Sequence, residues 1–145
     1  REREGERMLS DLQGRADTML GMVSEIEARS PERVAEYRQR LYEKLSEVLS
    51  TSGIDETRIL TEAALYADKV AVDEETVRLR SHFTEMERIL ASGGPAGRKL
   101  DFLIQEINRE INTIGSKAND IQTAKLVVDL KAELEKMREQ VQNIE

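Results

Sequence analysis

Apolar residues recur at every third or fourth position along nearly the whole chain, and no useful length alternates with the period of a strand. That single periodicity restricts the fold to helices packed on helices. Aromatic residues make up only 3% of the 145 residues, so Leu, Ile, Val and Met must supply most of the burial. From about residue 4 to 28, Leu9, Leu12, Ala16, Met19, Val23 and Ile26 form a seam of coiled-coil type. Ser30-Pro31 then reads as an N-cap followed by proline at the first helical position, which predicts a second helix with Val34, Tyr37, Leu41, Leu45 and Val48 inward. Thr51-Ser52-Gly53 ends it. Asp55 is expected to cap a third helix with Leu60, Ala63, Ala67 and Val70 on its inner face, and Asp73 a fourth with Leu79, Phe83, Met86 and Leu90.

Gly93-Gly94-Pro95-Ala96-Gly97 is the clearest break. It is followed by an amphipathic segment, residues 97–117, whose stripe is Leu100, Ile104, Ile107, Ile111 and Ile114. Gly115 is expected to loosen its end, and Asn119 or Asp120 to start a last helix with Val127, Leu130, Leu134, Met137, Val141 and Ile144 as its seam. The expected fold is all-α: elongated antiparallel helical hairpins or a bundle, in which the first and last helices project. Residues 1–145 read as one helical domain, with a possible division into 1–92 and 97–145 at the glycine-rich loop. The regular seams suit burial between subunits and burial within the chain equally well.

Segment 97–117 carries the unusual polar chemistry. Asp101, Gln105, Asn108 and Asn112 line one flank of its stripe, and Glu106, Glu110, Thr113 and Lys117 line the other. Asparagine is a mediocre helix former, and two carboxylates four residues apart repel. A helix shaped only for stability would place Lys or Ala there. Glu106 and Glu110, one turn apart, could hold a divalent ion jointly, or with Asp101 from another subunit. His82 follows Arg78 by four residues, and imidazole is the side-chain type best suited to proton transfer. Lys131, Glu135, Arg138 and Gln142 share one face of the last helix, which by periodicity alone reads as a solvated, salt-bridged surface.

Several classes of function are excluded or disfavoured. There is no cysteine and only one histidine, so thiolate zinc sites and multi-histidine sites cannot form within one chain. No phosphate-cradling glycine loop and no nucleophile elbow is present. No apolar run reaches membrane-spanning length, no signal peptide is visible, and the default compartment is the cytoplasm. Because Arg1 is not a natural start, the chain reads as a fragment or processed product of something longer. The net charge of −7 argues against a free nucleic-acid binder. The imbalance is concentrated early: residues 1–96 carry 14 basic and 20 acidic side chains, residues 97–145 carry 8 and 9. The last third is therefore the part least repulsive to an anion.

The segment from Gly97 to Lys117 resembles the C-terminal signature of the bacterial YicC/YloC family. So does the ending Glu135-Lys136-Met137-Arg138-Glu139-Gln140-Val141-Gln142-Asn143-Ile144-Glu145. Arg3-Glu4-Gly5-Glu6 with Leu9, and Asp73-Glu74-Glu75 with Val77-Arg78-Leu79 and His82, match in the expected order. The resemblance implies an endoribonuclease, a phosphodiester hydrolase that works with magnesium or manganese and cuts structured RNA such as hairpins. It implies proteins about twice this length, with an N-terminal domain that is absent here. It also implies ring-shaped homo-oligomers, trimers or hexamers, holding RNA centrally. On that resemblance, Glu106, Glu110 and Asp101 are metal or proton-transfer carboxylates, with Glu106 and Glu110 as the metal ligands. His82 is a general acid or base, or a phosphate contact. Arg78, Arg98, Lys99, Arg109 and Lys117 meet RNA phosphates, and Asn108 and Asn112 bond riboses or position the carboxylates. The rival reading is a non-catalytic helical oligomerisation or adaptor module, which the acidic, heptad-rich composition suggests unaided.

Overall fold

The computed structural model describes residues 2–143 and, among them, contains five helices and no strand. They are α1 (Glu2–Leu49), α2 (Glu56–Asp68), α3 (Asp73–Ser92), α4 (Gly97–Lys117) and α5 (Ile121–Asn143). The N-terminal half of α1 joins α3, α4 and α5 in an up-down bundle, in which α1 neighbours α3 and α5, and α4 neighbours the same two. Inter-helix ion pairs show the alternation of direction: Arg15 with Glu133 and Arg29 with Asp120 between α1 and α5, and Arg78 with Glu110 between α3 and α4. One core, running from Leu12 and Met19 through Phe83 and Ile107 to Met137, draws residues from both sides of the glycine-rich loop. The seam of α1 (Leu12, Ala16, Met19, Val23 and Ile26) is buried within this chain. So is that of α5 as far as Val141; Ile144 lies outside the described residues.

The expected break at Ser30-Pro31 does not occur, and α1 runs through Pro31 for 48 residues, about 72 Å at 1.5 Å per residue. Proline removes one backbone donor, a local cost that tertiary anchoring outweighs here. Ser30 is buried rather than capping, and Arg33, only 4% exposed, ties the helix to the base of the bundle. Its guanidinium donates to the Val70 carbonyl, to the Lys117 carbonyl at 3.2 Å and to Asn119 Oδ1 at 2.9 Å. Beyond that anchor, α1 leaves the bundle and pairs with α2, forming an arm. The projecting element is thus the second half of α1, whereas α5 is packed along its length and does not project.

The inner face of the arm is the expected one at Ala63 and Ala67, which are buried, and at Val34, Tyr37, Leu41 and Leu45, which are half-buried, and it differs at two positions. Ile59 is buried while Leu60 is exposed, and Leu49 is half-buried while Val48 is exposed. At the helix starts, Asp55 occupies the N-cap position of α2 without a side-chain cap bond. Val72 rather than Asp73 is the N-cap of α3. Asp120 does cap α5, its Oδ2 accepting from the Thr123 amide at 3.0 Å. Gly93, at φ 72°, turns the chain from α3 towards α4. Gly115 loosens nothing: α4 continues through it, and a Cβ there would lie 3.2 Å from Val127 Cγ1, so the missing side chain allows α5 to approach.

Candidate active site

The seam between α3 and α4 contains two buried carboxylates. Glu75 occupies a position one turn before Leu79 on the buried stripe of α3, with its side chain 2% exposed. Its Oε1 accepts from Lys117 Nζ at 2.7 Å and its Oε2 from Arg78 Nη2 at 3.4 Å. Lys117 Nζ also donates to the Ala71 carbonyl at 3.1 Å, which fixes the start of α3 against the end of α4. Arg78 Nε donates to Glu110 Oε1 at 2.9 Å, and the Glu110 side chain is 8% exposed. Burying a carboxylate costs several kcal/mol unless paired cations and hydrogen bonds compensate. Lys117 and Arg78, both partly open to solvent, supply that compensation. The bond to Glu110 raises the Arg78 pKa further above its usual value.

Among the described residues six buried side-chain atoms lack a hydrogen-bond partner, and one of them lies in this seam. Glu110 Oε2 is buried and accepts no hydrogen bond. Glu106 lies one turn earlier on α4, partly open, with Arg109 Nη2 at 4.0 Å. Because α3 and α4 run antiparallel, one turn along each helix from the Arg78–Glu110 pair brings half-buried His82 level with Glu106. The seam therefore presents Lys117 paired with Glu75, then Arg78 paired with Glu110, and one turn further His82 on α3 and Glu106 on α4. No three acidic or histidine side chains converge as a ready metal cluster among the described residues. The unpartnered Oε2 of Glu110, with the Glu106 carboxylate a turn away, suits a hard cation whose remaining ligands would be water or phosphate oxygens.

The structure divides the remaining site candidates between two sides of α4. Lys99 faces the α3 side, close enough to Glu85 to help hold that carboxylate's pKa down, after the larger effect of Arg88. Asp101 does not join Glu106 and Glu110 within one chain. With Gln105 and Asn108 it lines a groove of about 280 Å³ against Lys131, Glu135, Arg138 and Gln142 of α5. Arg98 borders the same side, beside Asp101 and Gln142. Asn112 is exposed and shares that flank by helical spacing. The α5 face that periodicity assigns to plain solvent is thus half of a groove.

Two residues lacked a role in the sequence reading. Glu75 did carry a signal, being a carboxylate at an apolar stripe position. Arg33 carried none, since nothing local distinguishes it from the other arginines of α1.

An up-down helical bundle with an ion-paired carboxylate seam defines the class. The family described as endoribonuclease YicC-like, C-terminal, matches residues 26–145, and the chain belongs to that family. It is 47% identical over 146 residues to a protein of Clostridioides difficile (strain 630) named probable endoribonuclease YicC. It is 37% identical over 145 residues to the protein of the same name from Haemophilus influenzae (strain ATCC 51907 / DSM 11121 / KW20 / Rd). All of the chain is covered in both comparisons, and the chain spans about half the length of these relatives.

Proposed function

We propose that this chain is the catalytic and RNA-binding helical region of an endoribonuclease that cleaves structured RNA such as hairpins with the help of magnesium or manganese. The observation that carries the reading is the unpartnered, buried Oε2 of Glu110, held beside Arg78 in a seam that opens to solvent. Breaking a phosphodiester bond requires a base for the attacking oxygen, a proton for the departing 5′-oxygen and positive charge for the pentavalent transition state. Without a cation Glu110 or Glu106 is the acceptor; His82 is the donor, and Arg78 with Lys117 supplies charge. A divalent cation held by Glu106 and Glu110 would lower the pKa of a bound water and neutralise phosphate. Arg98, Lys99 and Arg109 meet phosphates, while Asn108 and Asn112 meet riboses. Asp101 enters this seam only from a neighbouring copy. We place the protein in the cytoplasm as a homo-oligomer, trimeric or hexameric; no helix among the described residues is long and apolar enough to cross a membrane.

The test uses the full-length protein and a labelled RNA hairpin, with magnesium or manganese and then with chelator. Glu110→Gln and Glu106→Gln are each expected to lower the cleavage rate by about 10²-fold or more. Rates equal to the wild type would remove both carboxylates from the mechanism. Cyclic 2′,3′-phosphate ends would identify the 2′-oxygen as the nucleophile, and 3′-hydroxyl or linear phosphate ends would identify water. A non-catalytic oligomerisation or adaptor module is favoured by one observation, the exposed apolar side chains of the arm. Silence of the full-length protein in both conditions would select it.

A further inference from the structure

Three of the four seams of the bundle are laced by side-chain ion pairs that cross from helix to helix: α1 to α3 by Glu27 and Arg80, α3 to α4 by Arg78 and Glu110, and α1 to α5 by Arg15 and Glu133. The α4–α5 seam differs. It is lined by a rich set of polar groups, yet no side-chain hydrogen bond or ion pair crosses it among the described residues. Gln105 bonds back to Asp101 on its own helix at 3.4 Å, and Arg138 pairs with Glu135 on its own helix at 3.6 Å. Between them lies the 280 Å³ groove, floored by Ile104 and Leu134. Charged groups of opposite sign face each other there without engaging, which leaves their donors and acceptors available to a third molecule.

The composition of the groove selects the ligand. Lys131 and Arg138 balance Asp101 and Glu135, so the groove has no net field to attract a duplex backbone. Its amides, Gln105, Asn108 and Gln142, instead offer paired donors and acceptors of the kind that match unpaired base edges and ribose hydroxyls. A second feature points the same way. Phe102 stands 61% exposed on the outer ridge of α4, between the carboxylate seam and the groove, with Arg98 and Arg109 on the same ridge. An exposed aromatic flanked by arginines is a stacking platform for a base.

We propose that the α4–α5 groove, with Phe102 at its lip, binds a single-stranded stretch of RNA adjoining the cleaved bond, so that the strand crosses α4 from one seam to the other. This rests on the nuclease reading of the α3–α4 seam. The experiment is equilibrium binding of the full-length protein to two labelled probes, an RNA hairpin with a ten-nucleotide single-stranded tail and the same hairpin without it. The wild type is expected to bind the tailed probe more tightly. Phe102→Ala and the double variant Lys131→Ala/Arg138→Ala should each cancel that advantage, with a loss of about tenfold on the tailed probe and little change on the blunt one. All three side chains are exposed, so helix content by circular dichroism should be unchanged. Wild-type affinity of the variants for the tailed probe would overturn the groove alone. A wild type that binds neither probe would overturn the nuclease reading with it.

Discussion

Glu75 has its side chain sealed under two cations from different turns, Arg78 on its own helix and Lys117 on α4. Removing one member of a buried ionic group leaves the others uncompensated, which costs more than the group contributes as a whole. Glu75→Gln is therefore expected to lower unfolding stability by about 1–2 kcal/mol, since the cations left behind are partly solvated, read from urea denaturation. It should also release Arg78 from one of its anchors and lower hairpin cleavage in the full-length protein. Glu75→Gln with Lys117→Met should recover part of the stability, because the pair is removed together, but not the cleavage, because Arg78 stays loose and the Lys117 charge is lost. Wild-type cleavage in both variants would confine Glu75 to a stabilising role. The signal for Glu75 was present in the sequence as a charge on an apolar stripe, but its partner Lys117, 42 positions away, is supplied by the fold.

Among the elements, the junction of α4, α5 and α1 decides where the arm leaves the bundle. Asp120 caps α5 and pairs with Arg29 of α1 at 3.0 Å. Burial pulls the Asp120 pKa up, but the hydrogen bonds from Thr123 and Arg29 outweigh it and hold the group below the usual aspartate value. Glu27 is likewise held below its ordinary value, chiefly by its hydrogen bond from Arg80. Each carboxylate binds its proton more weakly folded than unfolded. Both contributions are thus fully present above the unfolded pKa values, about 4, and are lost as pH falls through the lower folded values. The melting temperature is expected to drop in that acid range, and Asp120→Asn with Glu27→Gln should flatten the drop measurably. An unchanged acid slope in the double variant would remove these two groups as its source. The sequence predicts six helices where five occur among the described residues. Local propensity reads Ser30-Pro31 as a start, and only the buried Arg33 contacts show why α1 continues.

At the scale of the whole molecule, the bundle and the arm differ in how they bury apolar surface. The bundle closes over its own core, whereas the arm is a two-helix hairpin, which leaves Ile54, Leu60, Leu65 and Tyr66 exposed. These side chains are spread around α2 and its connection to α1, and apolar surface of that kind is available to a second copy of the chain. With oligomerisation proposed for the full-length protein, the arm is its expected contact. Leu65→Glu with Tyr66→Glu should convert the assembly to a smaller species by light scattering while leaving helix content intact. Retention of the original mass would place the contact elsewhere.

The helical class, the long polar helix from Gly97 to Lys117 and the core seams of α1 and α5 followed from periodicity alone, because apolar spacing is a local property that burial merely uses. The sequence also marked Asp101, Glu106, Glu110 and His82 as the chemical residues to examine. Which of them share a seam was settled in three dimensions. At about 100° per residue Asp101 lies on the side of α4 opposite Glu110, so Glu110 turned to α3, with Glu106 one turn away on the same flank, while Asp101 turned to α5. The continuity of α1, the charges locked at Glu75 and the groove left unlaced between α4 and α5 all depend on contacts between residues distant in the chain, and such contacts exist only once the helices have packed.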